Sequence, residues 1–250
     1  MWLINTETFG LEEFANYPKH GYAILSHRWE ENEVSFEDWK GRKYVQRKGY
    51  LKIMRFVQKA AEQGFKYAWA DTCCINKDSS AELSEAINSM FKYYQDAATC
   101  YVYLSDLPPL CPSDKLDVTT PPPPVIVDDD SRNTIFANSK WFTRGWTLQE
   151  MIAPRTLQFF DSAWHPFGTK HGLAAVIESR TGVPKEILDG FQQLKGHGNS
   201  GYVDAASIGV GIHYEISITP RVVREEGADA DSWDVMKVQI HGPRIANSKL

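Results

Sequence analysis

No run of apolar residues in this 250-residue chain approaches the roughly 20 needed to cross a bilayer. Positive charge is also short. Lys and Arg number 27 against 32 Asp and Glu, a net charge of −5. That balance argues against nucleic-acid binding and against broad attraction to an anionic membrane, both of which need a basic face. The opening MWLINTETFGLEEF has no basic stretch followed by an apolar one, so no secretory leader is expected. Cysteine is scarce: Cys73, Cys74, Cys100 and Cys111 have neither the number nor the CxxC spacing of a disulfide framework or a zinc knuckle. Two adjacent thiols do not share one ion comfortably without further ligands, so no metal is expected. A reducing, cytoplasmic compartment fits this usage. A phosphate-cradling GxxxxGK[ST] loop is missing as well, which ranks an ordinary nucleotide-binding domain last among the functions considered.

What is present is a repeating alternation. Tyr22 to Leu25 is a short apolar run that ends at Ser26-His27-Arg28-Trp29 and reads as a buried strand leading into a polar loop. Leu51 to Gln63 has apolar residues at 53, 54, 57, 60 and 61, a helical stripe, with Gly64 as its stop. Tyr67 to Ala70 reads as a second strand ending at Asp71-Thr72-Cys73-Cys74. Ser79 and Glu82 have capping-box spacing ahead of a helix lined by Leu83, Ile87, Met90, Phe91 and Tyr94. Thr99 to Leu104, β-branched and aromatic, reads as a third strand ending at Ser105-Asp106. Residues 107–133, with the proline run 121–124 and Asp128-Asp129-Asp130, read as a loop without regular structure. A helix over Trp141–Ile152 stopped by Pro154, a fourth strand over Thr156–Phe160 ending at Asp161, and a helix over Gly172–Thr181 follow. Short strands alternating with amphipathic helices predict an α/β fold, a parallel sheet with helices on both faces. Right-handed crossovers then bring all four polar strand ends to one rim, where such sheets bind ligands. We expect one domain over residues 1–194, including the Pro/Asp-rich loop 107–133. Residues 195–250 are expected to be a divergent or poorly ordered, irregular segment, in which Ile208–Val223 alternates weakly, as in a hairpin.

The densest stretch is Ser139 to Pro154, SKWFTRGWTLQEMIAP. It sets a single acid, Glu150, among Trp141, Phe142, Trp146, Leu148, Met151 and Ile152. A carboxylate in apolar surroundings is costly unless paired or used. Thr147 and Glu150 also have the Thr-x-x-Glu spacing of a capping box, in which Glu150 would serve only a helix terminus. Both readings stand at this point.

YAILSHRW (22–29), GYLKI (49–53), YAWADTCCINKDSSAELSEAINSMFKYYQDA (67–97), CYVYLSDL (100–107) and SKWFTRGWTLQEMIAP (139–154) together resemble the heterokaryon-incompatibility (HET) domain of filamentous fungi. The resemblance covers roughly residues 1–170; residues 171–250 depart from the family pattern, as in a truncated or divergent member. It implies a role in fungal non-self recognition and regulated cell death. HET domains are in turn considered remote relatives of Toll/interleukin-1 receptor (TIR) domains, which implies a flavodoxin-like α/β fold and, for many members, cleavage of NAD. Plant TIR domains carry a Ser-x-Trp-Cys-Leu-x-Glu-Leu pattern whose Glu is catalytic. Trp146-Thr147-Leu148-Gln149-Glu150-Met151 is similar to it, with Thr147 in place of Cys, so Glu150 is the residue the resemblance makes catalytic. By element order it makes Ser26, His27, Arg28 and Trp29, and Asp71 and Cys74, nucleotide-contacting, with Trp146 beside the acid.

The chemistry is consistent with one carboxylate. Nicotinamide leaves NAD as a neutral base, so no general acid is required, unlike ordinary glycosides with their two carboxylates. Trp29 and Trp146 suit stacking on a ring, or plain packing. Arg28 suits a phosphate, or pairing with Glu30, Glu31 or Glu33. His27 suits a base or a structural hydrogen bond, and Asp71 a ligand or a turn. Two functions compete: an NAD-hydrolysing death effector using NAD as substrate with no other cofactor, and a non-catalytic module that signals by homotypic self-association.

Overall fold

The computed structural model of the chain describes residues 1–15, 18, 21–112, 125–190, 200–204, 212–219 and 237–245. In chain order its elements are β1 (Trp2–Asn5), β2 (Leu11–Glu13), β3 (Ala23–His27), α1 (Phe36–Lys40), α2 (Tyr50–Glu62), β4 (Tyr67–Trp69), α3 (Ser80–Asp96) and β5 (Thr99–Tyr103). Then come β6 (Leu110–Pro112), β7 (Val125–Val127), α4 (Asp129–Ala137), α5 (Thr147–Ile152), β8 (Leu157–Phe160), β9 (Pro166–Thr169), α6 (Ala174–Thr181) and α7 (Lys185–Gly190). The last are β10 (Ser200–Asp204), β11 (Ile212–Thr219) and β12 (Lys237–Ile245).

The main sheet has seven strands in the order β2-β1-β4-β3-β5-β8-β9. Its four central strands, β4-β3-β5-β8, are parallel, as expected of an α/β fold. The sheet is mostly parallel and adds antiparallel strands at both edges: β1 pairs antiparallel with β4 and β2, and β9 antiparallel with β8. These edge strands are only three or four residues long, too short to show a strand period in the sequence.

Side-chain alternation assigns the helices to faces. Tyr101 on β5 and Phe160 on β8 form an edge-to-face pair on one side, and Phe56 of α2 packs on Tyr101. Phe159 points the other way, onto Phe136 of α4 and the fully buried Trp141. Trp69 meets Tyr93 and Tyr94 of α3. All five β3 residues are buried, as a strand covered on both faces must be. Helix α2 follows its expected stripe, burying Ile53, Phe56, Val57 and Ala60, with Gly64 in a left-handed conformation (φ +83°) just past its end.

Residues 107–133 are not devoid of regular structure. β6 and β7 pair in parallel, and α4 starts at Asp129 with the Asp128 carboxylate accepting from the Ser131 N–H. The aspartates read as a loop signal are therefore a helix N-terminus. Residues 113–124, with the proline run, lie outside the described residues. The expected single helix over 141–152 is also corrected. Lys140–Thr143 is a 3₁₀ turn, and the chain restarts as the six-residue α5. Beyond residue 195 the described residues 200–204, 212–219 and 237–245 form a separate antiparallel sheet of β10, β11 and β12, and the rest of the segment lies outside the described residues. Ile212–Thr219, expected inside a hairpin, is one strand of that sheet. Gly196-His197-Gly198-Asn199-Ser200-Gly201 has GxGxxG spacing, but it runs into β10 and opens no helix, so it lacks the context of a dinucleotide fingerprint.

Candidate functional site

The C-terminal ends of β3 and β4 and the start of α5 meet at one rim. There a cleft of about 260 Å³ is lined by Arg28, Trp29, Asp71, Lys77, Arg144, Trp146 and Glu150, with Ile75, Leu83, Ile87 and Met90 as its apolar wall. Glu150 is 4% exposed. Among the described residues neither of its oxygens is tied to a backbone amide. Arg144 grips it bidentately, Nη1 donating to Oε2 at 2.8 Å and Nη2 to Oε1 at 3.1 Å. Ser26 Oγ donates to Oε2 at 2.6 Å and itself accepts from the Trp141 indole N–H at 2.8 Å. The capping-box reading of Thr147 and Glu150 is therefore overturned. The N-cap of α5 is Trp146, with no side-chain cap, and Thr147 Oγ1 donates to the Trp141 carbonyl. At the other end of α5, the buried Lys170 ammonium donates to the carbonyls of Pro154 at 2.6 Å and Met151 at 3.3 Å. A cation there suits the negative end of a helix.

Asp71 faces the same cleft in a different setting. Its Oδ2 accepts from the Trp29 indole N–H at 2.7 Å, and its Oδ1 lies 3.7 Å from His27 Nε2. Burial pushes the Asp71 carboxyl up; Lys77 and Arg144 pull it back, and Glu150 adds to the rise. His27 is fully buried with both ring nitrogens lacking a hydrogen bond. Burial, then the charges of Lys52, Arg144 and Lys77, hold it well below its ordinary value, so it stays neutral at pH 7. For Arg144 burial opposes the charge, but the Glu150 carboxylate outweighs that and raises its pKa.

Of the residues singled out from the sequence, Arg28, Trp29, Asp71, Trp146 and Glu150 line the cleft together. Ser26 and His27 stand behind the lining, still inside strand β3. Cys74 does not reach the cleft: its buried sulfur accepts from the Ala70 N–H at 3.4 Å, closing the turn after β4. Among the described residues Arg28 has no ion pair with its acidic neighbours; Glu31 binds Lys48 and Glu33 binds the buried Lys52. One face of Trp29 is covered by the Lys77 ammonium, 3.5 Å from the ring centroid. The other two polar strand ends serve turns. Asp106 accepts from Ser139 Oγ and the Lys140 N–H, and Asp161 from the N–H groups of Ala163 and His165. Arg144 was not anticipated. On one continuous helix residues 144 and 150 lie about 120° apart; only the break between the 3₁₀ turn and α5 lets the guanidinium fold back.

Residues 22–150, from the residue before β3 to the gripped acid, match the family model described as heterokaryon incompatibility protein (HET). The chain belongs to the HET family. Vegetative incompatibility protein HET-E-1 of Podospora anserina is 46% identical over 171 residues, covering 68% of this chain and 12% of that protein. The chain thus spans about an eighth of the length of this curated HET relative. No solved structure matches it significantly. The HET match begins at β3 and ends at Glu150, so both sides of the cleft fall within it. Among the described residues no helix is long and apolar enough to cross a membrane.

Proposed function

We propose that this chain is a fungal heterokaryon-incompatibility effector domain that hydrolyses NAD at the nicotinamide–ribose bond, with Glu150 as the catalytic carboxylate. The observation that carries this reading is the placement of Glu150: a nearly buried acid on the wall of a cleft shared with Arg28, Trp29 and Asp71. The parallel strands run, in chain numbering of that set, 2-1-3-4, the opening of the flavodoxin order, and the cleft lies at the carboxyl ends of its first two members. That order supports a remote TIR-like relationship.

In the reaction the C1′–N bond breaks with its electron pair going to the pyridinium nitrogen, which leaves as neutral nicotinamide. Water adds to C1′ and loses a proton, giving ADP-ribose. Glu150 holds ribose hydroxyls and opposes the positive charge that develops on the sugar. A carboxylate has about four acceptor positions. Arg144 and Ser26 use three, and one on Oε1 remains. The test is nicotinamide release by the purified chain. Glu150→Gln is expected to lower turnover by about 100-fold or more; equal turnover in the variant, or none in the wild type at high protein concentration, overturns the reading.

A second reading has its own support. A bidentate guanidinium and a serine satisfying most of Glu150 are also what a purely structural ion pair requires. In that case the domain signals cell death by homotypic assembly. Cell-death induction that survives Glu150→Gln would select it.

A further inference from the structure

The cleft carries a charge of the opposite sign to the chain. Its lining has three cations, Arg28, Lys77 and Arg144, against two carboxylates, Asp71 and Glu150, in a protein of net charge −5. Arg28 is exposed and has no ion pair among the described residues. Arg144 is the more telling group. A guanidinium has five N–H donors. Two of them are spent on Glu150, and the other three have no hydrogen-bond acceptor among the described residues, although the side chain is only 17% exposed. It lines the cleft beside the acid, with planar donor geometry suited to phosphate.

We propose that Arg144 is the phosphate-binding residue of the cleft, and that a diphosphate group takes it in competition with Glu150. Binding the anion and releasing the Glu150 carboxylate are then one event. A carboxylate balanced by a guanidinium at 2.8 Å presents little net negative field to a developing cation. Drawing Arg144 onto a diphosphate restores that field at the moment the substrate arrives. Ser26, fixed by Trp141, keeps Oε2 in place while the guanidinium turns. This consequence for catalysis rests on the NAD-hydrolase reading; the competition for Arg144 does not.

Inorganic pyrophosphate is the probe, followed by calorimetry on the full chain. Competition requires that anion and carboxylate weaken each other's hold on Arg144 equally. Glu150→Gln is therefore expected to bind pyrophosphate about tenfold more tightly than wild type. Arg144→Gln/Glu150→Gln, which removes both buried charges and so avoids stranding one, is expected to lose at least that gain. An unchanged or weaker affinity in Glu150→Gln, or a double variant that binds as well as Glu150→Gln, overturns the proposal. If these affinities behave as expected while wild type releases no nicotinamide, the anion site stands and the enzyme reading falls. If nicotinamide is released but Glu150→Gln leaves pyrophosphate affinity unchanged, the reverse holds.

Discussion

The two carboxylates of the cleft, Glu150 and Asp71, share one hollow and are held in opposite ways. Glu150 is gripped by a bidentate arginine and a serine whose own position is fixed by a buried indole. Asp71 has one indole N–H and a neutral, unsatisfied imidazole 3.7 Å away. In the first half the donors match the acid; in the second, burial outweighs the partners and pushes the carboxyl up. The matched half positions its acid, and the unsatisfied half suits exchange of protons, since perturbed groups in clefts mark functional sites.

The sharpest way to break this contrast is to remove the guanidinium. Arg144→Met strands a buried carboxylate and is expected to cost about 3–5 kcal/mol in urea unfolding, most of it recovered in Arg144→Met/Glu150→Gln. A single variant within about 1 kcal/mol of wild type would show that the grip is not holding the fold. Next, Ser26→Ala leaves the Trp141 N–H without its acceptor, an expected loss of about 1–3 kcal/mol. Matching stability would mean that water or a shift of Glu150 replaces the hydroxyl.

The loose half is probed by pH. His27 has a lowered folded value, so the unfolded chain binds the extra proton first. Stability is full above its ordinary 6.5 and falls as pH drops below it, by at most about 1.4 kcal/mol per pH unit. His27→Gln should flatten that slope, and an unchanged profile would place the proton uptake elsewhere. Asp71 has the opposite sign. Its folded value is raised, so the folded chain keeps the proton longer and stability declines as pH rises from 3.8 through the raised value. Asp71→Asn should remove that decline. A denaturation series from pH 3.5 to 7.5 separates the two slopes.

The central strands and their helices were legible in the sequence because each is buried on a periodic face: β3, β4, β5, β8, α2 and α3 fall within a residue or two of the runs that announce them. What was not legible depends on partners distant in the chain. β1 becomes a strand through its pairing with β4, more than 60 residues away, and β9 through β8. Asp128–Asp130 looked like loop composition but serves a helix start. At the site, Glu150 stood out because a lone acid among tryptophans needs an explanation. Arg144 did not, because only the break in the helix brings it round. Two strand ends, at β3 and β4, reach the cleft, while Asp106 holds the start of the 3₁₀ turn 33 residues on and Asp161 closes its own turn, uses that composition cannot distinguish from ligand contact.

The Lys170 ammonium sets a boundary that the family pattern does not. The matched stretch stops at Glu150, yet the six-residue helix bearing that acid is too short to persist unaided, and the Met151 and Pro154 carbonyls at its end are closed by Lys170, 19 and 16 residues downstream. A chimera spliced at position 150 between two relatives would exchange the acid but not the clasp that aims it. Swaps meant to transplant the site should therefore carry the stretch through residue 170 as one cassette.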